Sequence, residues 1–130
     1  MQQTGYGLSR KLDMAFDDAE KKVREKLKEQ GFGILTEINV QKTLKEKLNV
    51  DFKRYLILGA CNPPFAHKAL SVETEIGLMM PCNVIVYEAD GKTVVAAIDP
   101  LSAMGVVGNE KLKEIAAQVR EKLMAAVMAV

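Results

Sequence analysis

Apolar and polar residues alternate along this chain in stretches that change period. Across residues 5–12 the period is two. Tyr6, Leu8 and Leu12 fall on one side and Gly7, Ser9 and Lys11 on the other, with Arg10 interrupting the apolar side. This predicts a half-buried strand. The spacing then becomes helical: Phe16, Ala19, Val23 and Leu27 form an apolar stripe against a charged face, with Asp13 as the expected N-cap and Gly31 as the stop. Residues 33–38 alternate again, Ile34, Thr36 and Ile38 opposite Leu35 and Glu37. Asn39 is placed to cap a short surface helix carrying Val40, Leu44 and Leu48. Residues 54–60, 83–89 and 92–98 read as three further strands. The last two are joined by Asp90-Gly91, the signature of a two-residue type I′ hairpin. Pro100 ends the last strand, and Asn109 caps a long helix striped by Leu112, Ile115, Ala116, Val119, Leu123 and Val127. A tight hairpin makes its strands antiparallel. The order therefore predicts an α+β fold, a mostly antiparallel sheet with helices on one face.

The strands are not alike. The first two alternate, so one face of each can be wet. The last three are apolar on both faces: Leu56 and Leu58 against Tyr55 and Ile57, Val84 and Val86 against Ile85 and Tyr87, Val94, Ala96 and Ile98 against Val95 and Ala97. Helices on one side need apolar residues on that side only. The other face therefore calls for a cover. A second copy of the chain in a homodimer is the expected one, ahead of an apolar ligand or the short helices folding back.

Composition narrows the function classes. The chain has 130 residues, which suits a single domain spanning 1–130, and 48% apolar with 27% charged residues suits an ordinary globular core. A net charge of +1, from 18 basic and 17 acidic side chains, gives no basic footprint for nucleic acid or a membrane surface. With no Trp, three Tyr and four Phe, a platform for stacking bases is poorly supplied. No apolar stretch reaches the length of a membrane span, and MQQTGYGLSRKL has neither the basic nor the apolar region of a signal peptide. The expected location is the cytoplasm, where the two cysteines, Cys61 and Cys82, are thiols rather than a bridge.

The segment ILGACNPPFAHKAL, residues 57–70, holds the candidate chemistry. Asn62 reads as the N-cap of a helix opened by Pro63 and Pro64. Cys61 then lies near the positive end of that helix, an environment that lowers a thiol pKa and raises reactivity. The functional reading is a nucleophilic or redox thiol at Cys61 or Cys82, helped by His67. The structural reading is a small apolar residue ending a buried strand. The prolines remove the amides a phosphate would need, and no phosphate-binding glycine motif follows a strand. Cys61, Cys82 and His67 are too few for a structural zinc site in one chain without carboxylates such as Glu73 or Glu75, so no metal or other cofactor is expected. In GLMMPCNVIVYE, residues 77–88, Met79 and Met80 read as adaptable core. Cys82 shares a face with Val84 and Val86, whereas Asn83 faces the other way with Ile85 and Tyr87. Asn62 and Asn83 are candidates for one polar cluster, with Asp99 at its rim or capping a turn.

Those two segments, the later IDP and the earlier GFGILTEINVQKTLKEKL together resemble the DUF302 family of uncharacterised bacterial and archaeal proteins, over residues 7 to about 123. The resemblance implies a β-α-β4-α arrangement of TBP-like shape, and homodimers. The label describes shape, and this charge balance gives no reason to infer DNA binding from it. The family brings no established activity. Its signature positions here are Cys61, Asn62, Pro63, Ala66, Pro81, Cys82, Asn83, Asp99 and Pro100; His67 lies in the variable part of the motif. These come from three segments that would meet near one end of the sheet. The expected function is a homodimeric module binding a small molecule or partner protein there. The alternatives are a thiol enzyme or sulfur carrier, and a structural dimer without a ligand.

Overall fold

A computed structural model describes residues 2–130. Strands β1 (Gln2–Gln3), β2 (Gly7–Leu12), β3 (Gly33–Asn39), β4 (Tyr55–Cys61), β5 (Cys82–Ala89) and β6 (Lys92–Ile98) form one antiparallel sheet in the order β1-β2-β6-β5-β4-β3. Helices α1 (Phe16–Glu29), α2 (Val40–Leu48), α3 (Pro63–Val72), α4 (Pro100–Met104) and α5 (Glu110–Met128) complete it, with 3-10 turns at Thr74–Met79 and Gly105–Val107. Without β1 and the short helices this is the expected β-α-β4-α order. The chain passes from β2 through α1 to β3 at the far edge, and the three strands between fill in afterwards.

Local signals explain most elements. The stripe Phe16, Ala19, Val23 and Leu27 is the buried face of α1. The helix ends where Phe32 N–H donates to Leu27 O and Gly31 N–H to Lys28 O, with Gly31 at φ +87°. That pair of bonds satisfies the last carbonyls, and the positive φ favours glycine. Asp90 and Gly91 both have positive φ, as a type I′ hairpin requires. Asn39 and Asn109 cap α2 and α5 through their side chains as expected.

Three expectations need correction. Asp13 does not cap α1. The helix starts two residues later than its reach, behind Ala15, without a side-chain cap. Tyr6 is not on the apolar side of the first strand; it precedes the strand and is 72% exposed. Ile34 and Thr36 do not share a face, because the pairing of β3 with β4 shifts between them. That bulge leaves Ile34 against the core and turns Thr36 to the opposite face. Arg10 does follow the pattern of β2. It lies on the core side, and its guanidinium donates to the carbonyl oxygens of Val127, Met128 and Val130 at 2.8–3.1 Å. The charge thus lies at the carbonyl end of α5, where a cation is favoured.

α1 and α5 lie over one face of the sheet, where Leu58, Val84, Val86, Val95 and Leu123 are fully buried. A second, smaller cluster joins α3, the 3-10 turn, α4 and the start of α5 through Ala69, Ile76, Met104, Leu112 and Ala116. Ile115 packs against both clusters and marks their seam.

Candidate functional site

The signature segments do meet at one end of the sheet, and then divide between its two faces. β4 ends at Cys61 and β5 begins at Cys82, which lies opposite Ala60. Residues Cys61 and Cys82 border a cavity of about 30 Å³ with Phe65 and Ala66 from α3, Met80, Pro81, Met104, and Ile115, Ala116 and Val119 from α5. Cys82 packs against the helix-covered core, whereas strand alternation turns Cys61 away from the face that Ala60 shares with Cys82. The cavity sits at the seam of the two apolar clusters. Burial pushes the Cys61 thiol up. Burial, and then the charge of Cys61, pushes Cys82 up to about 11. This is opposite to the direction expected of a thiol beside a helix N-terminus. The apolar lining offers a thiolate no compensating donor, and Pro63 and Pro64 leave the first turn of α3 short of free amides.

Asn62 is buried but does not cap α3 with its side chain. Its Nδ2 donates to Gln30 O at 3.1 Å, tying the end of α1 to the start of α3. Its own carbonyl accepts from Ala66 N–H at 2.9 Å. Pro63 occupies the first turn of α3 and is exposed. His67 is exposed on α3 and is not among the residues lining the Cys61 cavity. Asp99 is held in structure: Oδ1 accepts from Leu101 and Ser102 N–H at the start of α4, and Oδ2 accepts from Arg120 Nε at 2.9 Å. Asn62 and Asn83 do not form one cluster, because Asn83 is exposed on the opposite face.

That opposite face is open and apolar, and the strand register orders it in rows. One row runs Ile38, Ile57, Ile85, Ala96, Ser9. A second runs Tyr55, Tyr87, Val94, Lys11. The Tyr55 and Tyr87 rings stack at 5.3 Å and 11°, Phe52 tilts onto Tyr55 at 6.2 Å, and the Lys53 ammonium lies 5.3 Å from the Tyr87 ring centre. A third row holds Thr36, Gly59 and Asn83. Gly59 is required there: a Cβ would run into Thr36 Oγ1 and stand 2.7 Å from Pro81 Cγ. Under Tyr6 the face is hollowed to about 280 Å³, with Asn83, Ile85, Tyr87, Ala96 and Ile98 on its walls. Cross-strand apolar pairing makes this face visible in the sequence, but the hollow depends on where the segment before β2 crosses, which period two does not encode.

The pattern of these segments is matched by known proteins. Residues 8–130 fit the model of DUF302, a domain of unknown function. The chain belongs to the DUF302 family. Its fold is similar to the crystal structure of an uncharacterized conserved DUF302 protein from Bacillus stearothermophilus, at 30% identity and a TM-score of 0.89, over 95% of this chain and 96% of that one. No curated protein matches. The α+β class and helix-on-sheet arrangement are therefore those of a DUF302 domain. No helix among the described residues is long and apolar enough to cross a membrane.

Proposed function

We propose that this DUF302 chain is a homodimeric binding module that works through the open face of its sheet. A second copy covers the rows of Ile57, Ile85 and Tyr87, and a small apolar molecule or partner segment is held in the hollow beside Asn83. One observation carries the reading: strands β4–β6 are apolar on both faces, and the helices cover only one. The Cys61 cavity, at about 30 Å³, is too small for an organic ligand, whereas the open hollow offers about 280 Å³. Asn83 would fix a ligand's orientation through its amide, as the few polar groups of such sites do. Of the signature positions, Asn83 and the nearby Pro81 then serve the open face, whereas Cys61, Asn62, Pro63, Ala66 and Asp99 build the end of the sheet. Both cysteines are free thiols, which supports a reducing, cytoplasmic setting.

Binding is favoured over thiol catalysis because both thiols are pushed up, leaving little thiolate at neutral pH. Light scattering behind size exclusion tests the dimer. The wild type should elute at twice the chain mass, and Ile85→Lys, placing a charge in the middle of the face, should elute as a folded monomer. A monomeric wild type at micromolar concentration would sink the proposal.

A further inference from the structure

We propose that the hollow of the open face takes a flat, uncharged aromatic molecule with a carboxamide-like edge. This rests on the binding-module reading and names the ligand class for it. The strand register explains why there is room. Ser9 lies opposite Ala96, and Ala96 opposite Ile85, in one row of the open face. Gly7, Ser9 and Ala96 floor the hollow with small side chains or none, and Tyr6, Ile85, Tyr87 and Ile98 stand around them. About 280 Å³ is left between them, room for a ring with a small substituent.

The lining selects against charge. Among the described residues that form it there is no Asp, Glu, Lys, Arg or His. A carboxylate or an ammonium would lose water there without gaining a partner. Lys53, whose ammonium lies over the Phe52 and Tyr87 rings, does not line it. The polar groups on offer are neutral: the hydroxyls of Thr4 and Ser9, the phenols of Tyr6 and Tyr87, and the amide of Asn83. Asn83 is exposed, and its amide sets an acceptor beside donors. An edge carrying a carbonyl and an N–H returns both kinds of bond, as a carboxamide or a lactam does. The aromatic preference comes from a second observation. The chain's three Tyr all stand on this face, with Phe52, whereas Phe16, Phe32 and Phe65 pack in or against the core. Burial, and then the phenols of Tyr87 and Tyr6, pushes Tyr55 up. The three phenols therefore lie near one another and stay protonated at neutral pH. The Tyr6 and Tyr87 rings offer a flat ligand offset or edge contacts.

The experiment is a two-dimensional NMR titration of nitrogen-15-labelled protein at neutral pH with three probes on one ring: benzamide, benzoate and benzylamine. Benzamide should shift the side-chain amide signal of Asn83 and the backbone signals of Ser9 and Ala96. Benzoate and benzylamine should bind about tenfold or more weakly, because each carries a charge into a neutral hollow. Asn83→Ala should weaken benzamide about fivefold or more and leave the ring contacts in place. Ala96→Leu fills the floor and should remove benzamide binding while the circular dichroism stays that of the wild type. Should Ala96→Leu not fold, Asn83→Ala decides, since its side chain is exposed. Either charged probe binding as tightly as benzamide overturns the inference, as does unchanged benzamide binding in Asn83→Ala. Light scattering on the same samples separates the two proposals. A monomeric wild type that still binds benzamide in the hollow supports this inference and sinks the dimer. A dimer that binds the charged probes equally well sinks this inference alone. No shift with any of the three probes overturns the inference together with the ligand half of the binding reading.

Discussion

At the scale of single residues, two side chains show how strongly surroundings override type. Cys82 is held neutral by burial and by its neighbour Cys61, with its pKa pushed up to about 11 from the usual 9.0. Between those values the folded chain binds the proton that the unfolded chain has lost. Stability from this thiol is therefore complete below about 9 and disappears as pH rises toward about 11. Because the group is partly exposed, we take the lower end of the conversion, about 2 kcal/mol. In urea melts, wild type should lose this amount relative to Cys82→Ala across that window; parallel curves would show that burial does not control the thiol. Alkylation of either cysteine should be slow at neutral pH, and a fast reaction there would restore the thiol-enzyme reading. Gly59 is constrained by close approach rather than by φ. Gly59→Ala forces a methyl against Thr36 and Pro81 and should cost about 1–3 kcal/mol, read as a shift in the urea midpoint.

At the scale of elements, the ends of helices carry the signature residues. Asp99 caps α4 with one oxygen and holds Arg120 of α5 with the other, a pair whose side chains are 13% and 27% exposed. Asp99→Ala removes both and should cost about 2–4 kcal/mol, the sum of a cap and a charged hydrogen bond. Asp99→Asn keeps the cap and should cost about half as much. Neither change should alter the oligomeric state, since Asp99 turns to helices rather than to the open face; a monomeric Asp99→Asn would put it in the interface instead. Asn62 plays a similar part between α1 and α3. Asn62→Asp cannot donate to Gln30 O and sets a carboxylate against it, at an expected cost of about 1–3 kcal/mol in the same melts.

At the scale of the whole molecule, one sheet separates two kinds of surface. The helix-covered side is packed, with a small apolar cavity at the seam of two apolar clusters. The other side stays apolar and open, with Ile38 and Phe52 exposed among the rows. Its largest ordered feature is the Tyr55–Tyr87 stack, a directly opposed cross-strand pair. If the second copy lies on these rings, Tyr87→Ala should weaken the dimer without unfolding the monomer, measurable as a raised dissociation constant in sedimentation equilibrium. An unchanged constant would place the interface elsewhere on the face.

Period and punctuation in the sequence were enough to specify five of the strands, the stripes of α1 and α5, the type I′ hairpin and the two-sided apolar character of β4–β6. Each of these depends on neighbours a few residues apart, where side-chain direction follows from backbone geometry. Motif resemblance also named the family. The tertiary structure decided what depends on residues far apart. Asn62 reaches the end of α1 instead of capping α3, Asp99 finds Arg120, and Asn83 parts from Asn62 because adjacent strands turn successive side chains to opposite faces. The short β1 was not legible, since two polar residues carry no period. Met104 was not legible as a wall of the cavity at the end of the sheet either. Its place there is set by the packing of α4 and α5, a contact that no spacing along the chain records.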